Sequence, residues 1–148
     1  MNTPTLVAAG LLTGALLPLQ LAFNGQLGQV TKNPYSAGLV IFVVGTIAFA
    51  AILMITRPAL PSAADLVAAP KTVWLGGLIA ALYIIAVVTL TPRIGVGATA
   101  TLIIAGQLLT AIVLDHFGAF GMPQITLNLQ RLAGVGLMMM GVALIKFV

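Results

Sequence analysis

A chain of 148 residues that is 61% hydrophobic and 5% charged, with a mean hydropathy of +1.20, has too little polar surface to coat a water-soluble globule, and it reads as an integral membrane protein. Six Lys or Arg against two Asp set the net charge at +4, and these charges stand singly at segment ends, which excludes the clustered patch of a nucleic-acid binder. Without cysteine there is neither a disulfide framework nor a thiolate metal site.

Five apolar segments follow in chain order, at approximately residues 5–26, 35–56, 73–91, 95–114 and 131–148. Each comes close to the roughly 20 apolar residues that a helix needs to cross a hydrocarbon core of about 30 Å. None alternates as a membrane barrel strand does. The expected fold is an all-α integral membrane protein, a single five-helix transmembrane domain over residues 1–148. The first run has no basic residue before it and exceeds the core of a signal peptide, so it reads as a retained span.

The first segment contains "LLPLQLAFNGQLG", in which Gln20 and Asn24 stand four residues apart. Helical spacing puts Thr13, Leu17, Gln20, Asn24 and Gly28 on one stripe. Amides facing lipid would lose their hydrogen bonds to water without replacement, so this stripe is expected to face protein or a wet cavity. Pro18 cannot donate to the carbonyl of Gly14, which predicts a kink. Asn33-Pro34 then punctuates a short turn into the second segment, where Phe42, Gly45 and Phe49 share a face, as a gate or as packing.

The second connection, "TRPALPSAADLVAAPKT", reads as a surface loop, with one short helical turn around "SAADLVAA" as the alternative. Trp74 fits an interfacial belt, and the pairs Gly76/Ala80 and Gly77/Ala81 in the third segment, like Gly134 and Gly141 in the fifth, suit close helix contacts, within the chain or at a dimer interface. Tyr83 falls near the middle of the third segment, and Thr91-Pro92-Arg93 marks the turn into the fourth. Gln107 is the deepest amide there. Asp115 and His116 close that segment, as an interfacial terminus or as a proton-coupling pair. The fourth connection, "DHFGAFGMPQITLNLQ", is expected on the membrane surface.

With five spans, Arg57, Lys71 and Arg131 fall on one side of the membrane and Lys32, Arg93 and Lys146 on the other. Because the Lys/Arg bias of short loops sets orientation, a tie of three against three carries almost no instruction. Either His116, the N-terminal amine or unequal charge weights break the tie, or the chain inserts both ways and pairs as an antiparallel homodimer. Two oppositely inserted five-helix copies would reproduce the inverted repeat of many secondary transporters.

Gln20, Asn24, Tyr83 and Gln107 together suggest a neutral polar pocket near the midplane, although interhelical hydrogen bonding alone accounts for any one of the amides. No mid-span carboxylate is available as a counter-ion for a hydrophobic cation. A single His, no Cys and no phosphate loop leave no basis for catalysis, a metal or a cofactor.

The stretches "LLPLQLAFNGQLG", "FVVGTIAF", "WLGGLIAALYI", "AGQLLTAIVLDHFGAFG" and "RLAGVGLMMMGV", in this order, resemble the YdcZ family of five-helix bacterial inner-membrane proteins in the drug/metabolite transporter superfamily. The resemblance implies a small transporter in the bacterial inner membrane whose members occur as paired, fused or antiparallel halves. Gln20, Asn24, Gly106, Gln107, Asp115 and Gly118 are the family-like positions. The chain lacks the first-helix glutamate of the related small multidrug resistance family, which argues against proton-coupled export of cationic drugs. The expected function is secondary transport of a small neutral or zwitterionic metabolite by a lipid-embedded antiparallel homodimer. Gln20, Asn24, Tyr83 and Gln107 would bind substrate, Asp115 is the candidate for proton coupling, and Phe42 and Phe49 serve as gate or packing. A passive channel of the same design and a noncatalytic assembly subunit are the alternatives.

Overall fold

The computed structural model describes residues 3–147, with side-chain surroundings as far as Leu144. Val148, the expected end of the fifth span, lies outside the described residues, and Lys146 of the charge tally lies outside the described side chains. The secondary structure is helical: α1 spans Thr3–Thr31, α2 Pro34–Thr56, α3 Ala63–Ala68, α4 Leu75–Phe117 and α5 Leu129–Phe147, with 3₁₀ turns at Lys71–Trp74 and Ala119–Gly121. By length and composition, Thr3–Thr31, Pro34–Thr56 and Lys71–Phe117 suffice to cross a membrane, and Leu129–Leu144 is a shorter apolar stretch.

α1 outruns its expected boundary because polarity does not end a helix. Gln26 and Gln29 lower the hydropathy, but the backbone ladder continues to Thr31. The helix also continues through Pro18. After Thr31, Lys32 adopts a left-handed conformation, φ 52°. Asn33 caps α2, its Oδ1 accepting from the amides of Tyr35 at 2.9 Å and Ser36 at 3.2 Å, with Pro34 in the first turn where its missing N–H costs nothing. α2 ends at Arg57, which is left-handed at φ 44° and donates its amide to the Leu53 carbonyl at 2.8 Å.

The second connection corrects the loop reading. Ser62 and Asp65 form a capping box that nucleates α3: the Ser62 hydroxyl accepts from the Asp65 amide at 3.1 Å, and the Asp65 carboxylate accepts from the Ser62 amide at 3.0 Å. The Ser62 hydroxyl also approaches that carboxylate at 2.7 Å. The two Ser62 hydrogen bonds, side chain first and backbone second, hold the Asp65 carboxyl below its ordinary value. A carboxyl with a depressed folded value adds stability that is present above the ordinary carboxylate value and is lost as pH falls through the folded one. At neutral pH the cap is therefore intact. Asp65→Asn is expected to speed amide hydrogen exchange across residues 63–68 at neutral pH and leave the spans unchanged, and wild-type α3 is expected to loosen as pH falls below the ordinary carboxylate range.

The chain divides into two compact units, Leu19–Arg93 and Met1–Pro18 with Ile94–Val148. In Leu19–Arg93 the core is built from Ala37, Ile84 and Val88, with Leu27, Ile41 and Tyr83 packed against it. Glycines set how closely its helices approach. A Cβ on Gly28 would fall 2.4 Å from Val88 Cγ1, one on Gly25 3.0 Å from Thr91 Cγ2, and one on Gly38 3.6 Å from Ile84 Cγ2. The small-residue contacts thus form at Gly25, Gly28 and Gly38. At the expected sites Gly76, Gly77, Gly134 and Gly141 a built Cβ meets nothing within 4 Å among the described residues, which leaves these glycines free for contacts outside the chain.

The expected turn at Thr91-Pro92-Arg93 is displaced. α4 runs on from Leu75 to Phe117, and its backbone leaves helical geometry at Gly95, φ 82° and ψ 162°. An unbroken straight helix of 43 residues would reach about 65 Å, twice the hydrocarbon core. The interruption at Gly95, a conformation that favours glycine, leaves about 20 residues on either side, each a plausible crossing length.

In the unit of Met1–Pro18 and Ile94–Val148, Thr99 is fully buried and its hydroxyl donates to the Gly95 carbonyl at 2.7 Å, satisfying an acceptor beside the interruption. The fourth connection is tied back to the end of α4. The Ile125 amide donates to the Asp115 carbonyl at 2.8 Å, and the Gln124 carboxamide donates to the His116 carbonyl at 2.9 Å. His116 Nδ1 accepts from the Leu127 amide at 3.2 Å, and Arg131 pairs with the Asp115 carboxylate at 3.2 Å.

Candidate functional site

Four of the sequence-derived candidates meet in one cleft of Leu19–Arg93. A space of about 350 Å³ is lined by Gln20 of α1, by Ile41, Phe42, Gly45, Thr46 and Phe49 of α2, and by Ala80, Tyr83 and Ile84 of α4. Helical periodicity explains the set. Phe42, Gly45, Thr46 and Phe49 advance by three, one and three residues and so present one face of α2. Ala80, Tyr83 and Ile84 do the same on α4, and small Ala80 and Gly45 leave room that larger side chains would fill.

The cleft carries no charged side chain. Gln20 supplies two donors and a carbonyl acceptor, Tyr83 a phenol able to donate or accept, and Thr46 an oxygen whose proton is already donated to the Phe42 carbonyl at 2.8 Å. Phe42 and Phe49 add aromatic walls. Such a surface suits a small solute with an apolar body and a few neutral hydrogen-bonding groups. Thr46 escaped the sequence reading, although it directly follows Gly45 on the face already assigned to Phe42 and Phe49.

The remaining candidates stand elsewhere. Asn24, one turn beyond Gln20, is 8% exposed and belongs to the buried face made with Leu21 and Gly25. The interior stripe of α1 is therefore rotated by about one residue from the expected one, with Gln20 at its exposed edge. Thr13 and Leu17 are exposed as well, and the Thr13 hydroxyl donates to the Ala9 carbonyl at 2.8 Å. Gln107 lies in the other unit and is exposed. Asp115 also belongs there, tied to Arg131 and, through its carbonyl, to Ile125. That unit has an apolar cleft of about 270 Å³ among Thr101, Ile104, Met138, Gly141 and Val142, where the one hydroxyl donates to the Gly97 carbonyl at 2.8 Å. Among the described residues no group of three or more His, Asp or Glu is placed to hold a metal.

Helices long and apolar enough to cross a membrane, three of them at full length, describe a multi-span membrane protein. The family model DMT_YdcZ, described as "Putative inner membrane exporter, YdcZ", matches residues 5–144. The chain belongs to the YdcZ family, and its place is the inner membrane. No curated protein and no solved structure matches it significantly.

Proposed function

We propose that the protein is a secondary transporter that moves a small polar metabolite, neutral or zwitterionic, by alternating access in an antiparallel homodimer. The convergence of Gln20 and Tyr83 with Phe42 and Phe49 in one uncharged cleft carries this reading. Export as the direction accords with the family description. The tie of Lys and Arg between the two sides supports opposite insertion of the two copies, which together would supply ten helices in an inverted repeat. Gln107, exposed in the other unit, is a second candidate contact for substrate, Asn24 would act by holding the α1 face that carries Gln20, and Asp115, with His116 beside it, would be the place for proton coupling. The amides act on substrate by replacing the hydrogen bonds that it leaves behind in water.

The test is a thermal-stability screen of the purified protein in neutral detergent against small neutral and zwitterionic solutes, followed by flux of the stabilising solutes in proteoliposomes. Saturable stabilisation by a restricted set is expected. Gln20→Leu and Tyr83→Phe should each weaken it by roughly 2- to 10-fold, the equivalent of one lost hydrogen bond. Gln107→Leu should act in the same direction. Stabilising solutes indifferent to both Gln20→Leu and Tyr83→Phe would remove the cleft from the transport path.

A further inference from the structure

Leu19–Arg93 contains a second cleft, of about 230 Å³, whose chemistry is opposite to that of the first. It gathers Gln29 from the end of α1, Lys32 and Asn33 from the turn into α2, and Thr89 and Arg93 from α4. Two cations and two carboxamides thus face one small space, and no acidic side chain lines it.

The chain has two acidic side chains in all. Asp65 is engaged with Ser62 and Asp115 is paired with Arg131, so neither neutralises Lys32 or Arg93. Among the described residues, these two cations form no salt bridge. Asn33 spends its carbonyl oxygen on the amides of Tyr35 and Ser36, which leaves its NH₂ as the group it can offer a ligand. The Thr89 hydroxyl is already donated to the Ile85 carbonyl at 2.7 Å. The start of α2 adds the partial positive charge of a helix N-terminus at Pro34, which also lines the cleft.

The turn that carries these groups is braced. The Thr31 hydroxyl lies 3.0 Å from both the Leu27 and the Asn33 carbonyls, and Lys32 is held left-handed between the two helices. α1 would span about 43 Å over its 29 residues, more than the hydrocarbon core, so a membrane that covers its middle leaves its last turn at headgroup depth. Lys32 and Arg93 also fall on the same side of the membrane in the charge tally.

We infer that this cleft is a binding site for a phosphate-class oxyanion, with Lys32 and Arg93 supplying the charge and Gln29 and Asn33 directing hydrogen bonds to the oxygens. Arg93 suits two oxygens of one phosphoryl group, and Lys32 a point contact. The site is independent of what the uncharged cleft binds. Its anion comes from a phospholipid headgroup or from free phosphate, which share this chemistry.

The full-length protein is placed in nanodiscs of phosphatidylcholine alone, with inorganic phosphate titrated in, or of phosphatidylcholine with about one quarter phosphatidylglycerol, an anionic fraction that membranes themselves use to attract basic side chains. Thermal midpoint and lipid retained in native mass spectra are read for wild type, for Lys32→Gln with Arg93→Gln, and for Arg57→Gln with Lys71→Gln. The last pair removes as many charges, and shifts the charge tally by as much, from the opposite side. Saturable stabilisation with a retained phosphatidylglycerol, weakened at least about tenfold in the first double variant and not in the second, identifies the lipid source. The same pattern with inorganic phosphate in phosphatidylcholine identifies the free anion. If the first double variant does not fold, the single variants Lys32→Gln and Arg93→Gln replace it, each expected to weaken binding about fivefold. Absence of saturable binding with both probes, or equal loss in the two double variants, overturns the site.

Discussion

Gly28→Val is expected to lower the unfolding midpoint of the detergent-solubilised protein by several degrees. A built Cβ at Gly28 falls 2.4 Å from Val88 Cγ1 and 3.2 Å from the Val88 carbonyl oxygen, where an ordinary carbon contact is about 3.5–4.0 Å. Val88 has little means of yielding. It is 3% exposed, packs with Ala37 and Ile84, and as a β-branched residue in a helix keeps one strongly preferred rotamer. Relief requires moving α1 away from α4, and overpacking of this kind costs about 1–3 kcal/mol. Gly28→Ala should show the same direction with a smaller loss. Gly14→Ala is the matched control, because a Cβ there meets nothing within 4 Å and alanine gains up to about 1 kcal/mol of helix propensity. Equal midpoints for Gly28→Val and Gly14→Ala would mean that α1 and α4 do not pack through Gly28.

That contact shows what was legible in the sequence and what was not. The start of α2 was readable because Asn33-Pro34 is a local cap signal, and the apolar run to Thr56 has no competing polar residue. α1 runs five residues past the first apolar segment because hydropathy reports on lipid exposure and not on the backbone ladder, which continues to Thr31. The box of Ser62 and Asp65 was also local, and the surrounding prolines hid it. Gln20, Phe42, Phe49 and Tyr83 of the sequence candidates line the uncharged cleft, and the spacing that joins Phe42 to Phe49 also reaches Thr46, whose polarity is masked by its bond to the Phe42 carbonyl. The cationic cleft was half visible: connectivity put Lys32 and Arg93 on one side, but their meeting in one concavity depends on helix packing between positions distant in sequence.

The charge tally leads to the other large expected effect. In the antiparallel pairing proposed above, wild-type chains insert in both orientations, and a two-charge change on one connection should be enough to abolish that mixture. Leu60→Lys with Thr72→Lys adds two charges to the connection carrying Arg57 and Lys71, while Arg57→Ala with Lys71→Ala removes both, so the pair tips the tie in opposite senses. Single cysteines at Ser62 and on a short C-terminal extension report orientation without interference, since the chain has no native cysteine. With a membrane-impermeant thiol reagent, roughly half of each wild-type site should label in intact cells, and each charge variant should label almost wholly from one side. Because an antiparallel dimer needs both orientations, each charge variant alone should lose transport, and co-expression of the two should restore it. A wild-type chain that labels from one side only excludes self-pairing in opposite orientations, and the balanced charges would then have to be read as independent interfacial anchors, each serving its own helix end.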